Sequence, residues 1–290
     1  MEKILVALNA RQVNINVIDF ACYIAKLSGS ELSGIFLENK PVETLPAGRP
    51  EIGQHRGEKV AEPAVAETRC RVKLSEDYIE YFEEACQKRG VRSSVHIDKS
   101  VPVKEIIMES RFADLLIVDP EMSFGKRNGR VPTLFITGVL AKSECPVVIA
   151  PFTFNSIDEI LLVNDNTSSS AFAIKQFTYL FPELTDNRIT VAGIVNSGEL
   201  AVNEKKLLGG FLQMHYSSIG FRVLEGSSGD ELLSYLIDKK NIFVVMGGCD
   251  CDKVSGLFRG SSSELLLRTV NLPIFVTPQQ NDRQFLDSDD

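Results

Sequence analysis

The chain repeats itself, and this limits its folds more than any single motif does. EKILVALNA, Glu2 to Ala10, is matched by DEILLVNDN, Asp158 to Asn166, and CPVVIAPF, Cys145 to Phe152, is matched by LPIFVTPQ, Leu272 to Gln279. Each half therefore opens and closes on a related apolar strand, so the unit of folding is the half chain. The opening strands are offset by 156 residues and the closing prolines, Pro146 and Pro273, by 127, which makes the first half longer by 29. That surplus falls in Asn39 to Arg69, a stretch with four prolines, three glycines and no apolar period. It reads as an inserted flexible loop.

Between the end strands both halves alternate apolar runs with helical segments. In the first, strands are expected at Ile4 to Leu8, Glu31 to Leu37, Ser93 to Asp98, within DLLIVD (Asp114 to Asp119) and in PVVIA (Pro146 to Ala150). Helices are expected at Asn14 to Ser28, Lys73 to Arg89, Val103 to Arg111 and Leu134 to Lys142. The second half gives strands at Ile160 to Val163, Ile189 to Val195, Phe221 to Leu224, Ile242 to Met246 and Ile274 to Thr277. Its helices are expected at Ser169 to Leu180, Leu200 to His215, Asp230 to Lys239 and Ser262 to Val270, with Ser168 to Ser170 as the cap of the first. Parallel strands need crossover connections, so this pattern means an α/β fold. It predicts two tandem doubly wound domains, each a five-stranded parallel sheet of order 3-2-1-4-5 with helices on both faces. Ligands of such sheets sit at the carboxyl ends of the strands where the order reverses, here after Leu8 and Val118 and after Val163 and Met246. The expected boundaries are 1–152, 157–280 and an acidic tail at 281–290.

Charge narrows the partners. Lys and Arg total 31 against 39 Asp and Glu; residues 1–155 hold 20 basic and 21 acidic side chains, and 156–290 hold 11 and 18. That balance argues against nucleic acid held by broad electrostatics. No apolar run reaches the ~20 residues of a membrane span, and no leader precedes MEKILVALNA, so a cytoplasmic protein is expected. Six scattered cysteines read as reduced, packed thiols.

The loop after the fourth strand of the second half, MGGCDCDKVSGLFRGSSSE, carries Gly247, then Asp250, then Gly260-Ser261-Ser262 opening a helix. A glycine at a strand end lets backbone approach a ligand, and a Gly-Ser-Ser helix start offers free N–H groups and hydroxyls to phosphate. With the repeat, the ILVAL and ILLVND openings and the CPVVIAP and LPIFVTP closings, this loop resembles the universal stress proteins in a tandem two-domain form. The resemblance spans essentially the whole chain. It implies ATP or AMP in the second domain: Asp165 on ribose beside Val163 and Asn164, Ile194 near adenine, Met246 and Gly247 at the loop entry, Gly260, Ser261 and Ser262 at the phosphates. The family pattern has a second glycine where this chain has Asp250, a carboxylate that either repels phosphate or recruits Mg²⁺ with it. In the first half Asn9 replaces the ribose aspartate and Asp119-Pro120 stands where the loop should open on glycine, so that site reads as lost or repurposed. The resemblance further implies an internal pseudo-dimer through paired fifth strands, room for a homodimer, and a stress-response module that senses a ligand or binds a protein partner.

Other chemistries are weaker. Cys249 and Cys251 form Cys-x-Cys, whereas zinc sites use Cys-x2-4-Cys with two more ligands, and His55, His96 and His215 are not placed beside them. His96 alternates with apolar residues as a strand surface side chain, and Lys126, Arg127 and Arg130 read as a solvated loop cluster. No nucleophile elbow, Walker loop or His-Glu-x-x-His appears, which disfavours a dedicated enzyme. A nucleotide hydrolase or autophosphorylating enzyme using Asp250 and Ser261, and a scaffold with vestigial pockets, are the alternatives.

Overall fold

The structure, a computed structural model, describes residues 1–38, 62–98, 100–124, 132–195, 202–225, 228–248 and 269–278, with the backbone alone described at 62–72, 194–195, 202–204, 225 and 228–230. The first half runs β1 (Lys3–Asn9), α1 (Ile15–Ser28), β2 (Glu31–Leu37), α2 (Glu62–Arg89), β3 (Ser93–Asp98), α3 (Pro102–Ser110), β4 (Leu115–Val118), α4 (Leu134–Lys142) and β5 (Val147–Ile149). The second runs β6 (Glu159–Asn164), α5 (Ser168–Leu180), β7 (Arg188–Val195), α6 (Val202–Gln213), β8 (Ile219–Glu225), α7 (Ser228–Leu236), β9 (Ile242–Met246) and β10 (Ile274–Val276).

The strands form one ten-stranded sheet in the order β3-β2-β1-β4-β5-β10-β9-β6-β7-β8. Each half is thus five parallel strands in the expected order, and the halves meet where β5 and β10 pair antiparallel, Ile149 opposite Ile274 and Val147 opposite Val276. Two three-residue edge strands that would otherwise expose unpaired backbone cover one another. The join continues in the linker: Asn271 accepts from the Thr153 N–H at 2.9 Å and donates to its carbonyl at 3.1 Å, while the Phe154 ring packs on Phe20 at 5.0 Å.

Alternation along the strands divides the core between the two faces. Ile4, Val6 and Leu8 join one cluster with Phe20, Phe82, Phe177 and Phe243, whereas Leu5 and Ala7 join the other with Ile136, Val139, Leu232 and Leu236. The first cluster lies under α1, α2, α5 and α6 and crosses from one half into the other without a break.

Most expected elements stand within a few residues of their predicted ends. The main difference is α2, which begins at Glu62, inside the stretch read as an insertion. Pro63 counted there as a breaker, but in the first turn of a helix proline loses no hydrogen bond and its φ suits the helix. The remainder of that stretch, 39–61, lies outside the described residues, as do Lys126, Arg127, Arg130, the tail at 281–290 and nearly all of the expected Ser262 to Val270 helix. Among the described residues no helix is long and apolar enough to cross a membrane.

Candidate functional site

At the switch point of the second half, β6 ends in a turn built by side chains. The buried Asn164 carboxamide oxygen accepts from the Asn166 N–H at 3.2 Å and the Ser170 hydroxyl at 3.1 Å, and Asn166 takes the left-handed conformation with φ 60°. Asparagine tolerates that region because its short polar chain bonds locally. Asp165, half-buried, accepts from both the N–H and the hydroxyl of Thr167, at 3.2 and 2.6 Å. Thr167 in turn accepts from the Ser170 N–H at 3.1 Å and caps α5. The cap is therefore Thr167, one residue ahead of the expected Ser168 to Ser170. A cap needs extended backbone with its oxygen over the third N–H, and Thr167, at ψ 157°, has both.

The first turn of α5 lands on the end of β9. A methyl group placed on Gly247 would stand 2.7 Å from the Ser170 nitrogen and 2.8 Å from the Ser169 carbonyl carbon, and the Ser169 hydroxyl donates to the Gly248 carbonyl at 3.4 Å. Of the sequence-predicted site residues, Asp165 and Gly247 are thus both set against the start of α5, Asp165 through Thr167 and Gly247 through Ser169 and Ser170. Asn164 braces the turn. Val163 and Met246 are 2% and 1% exposed, with side chains in the core beside Leu232 and Leu236. Ile194 stands in β7 opposite Leu224 of β8, a backbone position only. Asp250, Gly260, Ser261 and Ser262, with Cys249 and Cys251, lie outside the described residues.

The first half differs at the same place. Ile4 pairs with Leu115 as Ile160 pairs with Phe243, so Asp119 occupies the register position of Gly247. The helix after β1 also starts later: its cap is Asn14, five residues past Asn9, whereas Thr167 stands two past Asp165. With that turn missing, a cavity of about 320 Å³ opens, lined by Asn9, Gln12, Asn14, Asp119, Glu121 and Ser123 among others. The Asn14 side-chain N–H donates to Asp119 at 3.2 Å across it, the Glu121 N–H donates to the other Asp119 oxygen at 2.9 Å, and the Asn9 side chain donates to the Ser123 carbonyl at 3.2 Å. Sequence reading missed the Asn14 to Asp119 brace. Its signal was the spacing of the caps, NARQVN against DNT.

Elsewhere the chemistry-bearing side chains are structural. His96 is a partly exposed strand residue 3.6 Å from Glu109. Cys22 and Cys86, both buried, touch at 3.6 Å, and that hydrogen bond together with burial pushes the Cys22 thiol up from its ordinary value. Among the described residues no three His, Cys, Asp or Glu side chains gather to hold a metal.

These elements define a class, the tandem doubly wound α/β protein with its two sheets fused edge to edge. Among solved structures the chain is similar over its whole length to a universal stress protein from Archaeoglobus fulgidus DSM 4304, at TM-score 0.69 and 17% identity, covering 96% of this chain and 98% of that one. It is also similar to a functionally unknown protein from Pseudomonas aeruginosa PAO1, at TM-score 0.53 and 14% identity, covering 96% and 92%. At these identities the likeness establishes the shared fold. No family model and no curated protein matches the sequence.

Proposed function

We propose that the chain is a universal-stress-type module of two domains, 1–152 and 157–280, which senses a mononucleotide, ATP or AMP, at the switch point of the second. The observation that supports this reading is the meeting of the Asp165 turn, the start of α5 and the Gly247-Gly248 end of β9 at one place. A ribose hydroxyl has a fixed carboxylate there, and phosphates have the positive end of a thirteen-residue helix together with the chain that continues past Gly248. Asp250, Gly260, Ser261 and Ser262 complete the proposed site. Mg²⁺ enters with the nucleotide if Asp250 recruits it, and signalling to a protein partner or a second copy of the chain follows from occupancy.

Calorimetry with ATP and AMP, with and without Mg²⁺, tests this. One site per chain is expected, weakened at least tenfold in Asp165→Ala and unchanged in Asn9→Ala. Absence of heat together with no shift in melting temperature rejects the nucleotide reading. The open first-half cavity favours a second ligand there without phosphate, because Asp119 and Glu121 would repel an anion.

A further inference from the structure

On the other side of α5, away from Gly247, a second cavity of about 400 Å³ opens between α5 and α6. It falls within the ~300–1,000 Å³ usual for small-molecule pockets. Its wall from α6 is apolar, Leu207, Leu208 and Phe211, and its wall from α5 carries Thr167, Ser168 and Lys175. Leu207 is 75% exposed and lines the opening together with Leu208 and Phe211, so the exposed leucine belongs to a contiguous apolar surface. The apolar surface extends along the groove, because Phe211 also packs edge to face on Tyr179 at 6.0 Å and against His215 at 4.9 Å. Among the described residues the lining holds no carboxylate and Lys175 has no ion-pair partner. The nearby Asp165 is engaged by Thr167. Lys175 is an exposed cation in the lining of an otherwise largely apolar cavity.

We propose that this cavity binds a small amphipathic anion, an aliphatic or aromatic carboxylate or sulfonate, with its apolar body on Leu207, Leu208 and Phe211 and its acid group on Lys175. Burial of the body on α6 supplies affinity, and the ammonium selects for negative charge. The cavity borders the switch-point turn through Asn164, Asn166 and Thr167, but Lys175, Leu207, Leu208 and Phe211, which carry this proposal, have no part in the nucleotide reading.

The test uses the full chain and 1-anilinonaphthalene-8-sulfonate as a fluorescent probe, displaced by decanoate, decanol or decyltrimethylammonium. The expected result is saturable binding of one probe per chain, displaced by decanoate at about tenfold lower concentration than by decanol, and not by the cation. Lys175→Met is expected to weaken the probe about tenfold and to abolish the preference for decanoate, the loss of one charge-assisted contact. Leu207→Asp, at a side chain too exposed to affect folding, is expected to remove binding while the near-ultraviolet circular dichroism stays unchanged. Unsaturable binding, equal displacement by decanol and decanoate, or wild-type affinity in Lys175→Met would each overturn the proposal. ATP binding unaltered in Leu207→Asp separates this site from the switch point, and loss of ATP binding alone would leave it standing.

Discussion

Gly247 and Ser170 are packed so tightly that a Cβ on the glycine would stand 2.7 Å from the serine nitrogen. Both atoms belong to backbone at the ends of buried elements, so neither side yields cheaply. Gly247→Ala is expected to cost about 1–3 kcal/mol, the range for forcing a methyl into a packed site. Equilibrium urea denaturation measures it, and wild-type stability would mean that the first turn of α5 moves aside. Asp119 fills the same register in the first half without penalty because α1 opens a turn later, leaving room that the Asn14 amide bridges.

The α5 cap offers a second measurement. Thr167 joins Asp165 to Ser170, so Thr167→Ala removes a helix cap and releases the carboxylate together. A loss of about 0.5–2 kcal/mol is expected, while Thr167→Ser, which keeps the oxygen, should retain most of the stability. The urea midpoints of the two variants must separate; coincident midpoints would show that the methyl matters and the hydroxyl does not.

How much of this was legible beforehand follows from where each signal resides. Runs such as KILVAL and IFVVM are buried on both faces, and a strand of that kind announces itself without any partner. The alternation of strands and helices in each half supplied the strand order, whereas the pairing of the two closing strands was implied only by the family resemblance. Thr167 was hidden among four consecutive hydroxyl residues, each an eligible cap. What selects it is the left-handed turn at Asn166, a geometry the letters do not reveal. The start of α2 was obscured because proline ends a helix or begins one according to position. The groove on Leu207 and Lys175 was invisible for a deeper reason: its walls are about thirty residues apart and meet only because α5 and α6 cover the same face of the sheet.

Cys145 is 3% exposed, and burial, with a smaller contribution from the Asp114 charge, pushes its thiol from 9.0 up to about 12. Alkylation by iodoacetamide at pH 8 is therefore expected only on unfolding, since the thiolate is the reactive form. The sign of the linkage follows. The unfolded thiol loses its proton first, so the stability contributed by the protonated folded thiol is complete below pH 9 and declines as pH rises toward 12. Comparing wild type with Cys145→Ala cancels the other titrating groups: the stability difference should shift against the wild type above pH 9. A difference that stays flat from pH 8 to 11 would contradict the raised value.

Thr277 presents the opposite case, a polar group where none is needed. It follows β10, is fully buried, and its hydroxyl has no hydrogen-bond partner among the described residues. The matching position in the first half is Ala150, equally buried, which shows that the end of this strand does not require a polar side chain. A buried hydroxyl without a partner costs about 1–3 kcal/mol in lost solvation. Valine has the same shape without the oxygen, so Thr277→Val should raise the stability by about 1 kcal/mol, where most core substitutions lower it. Urea denaturation with an unchanged slope would register this as a higher midpoint. A lower midpoint would instead show that the oxygen finds a partner in the segment beyond β10.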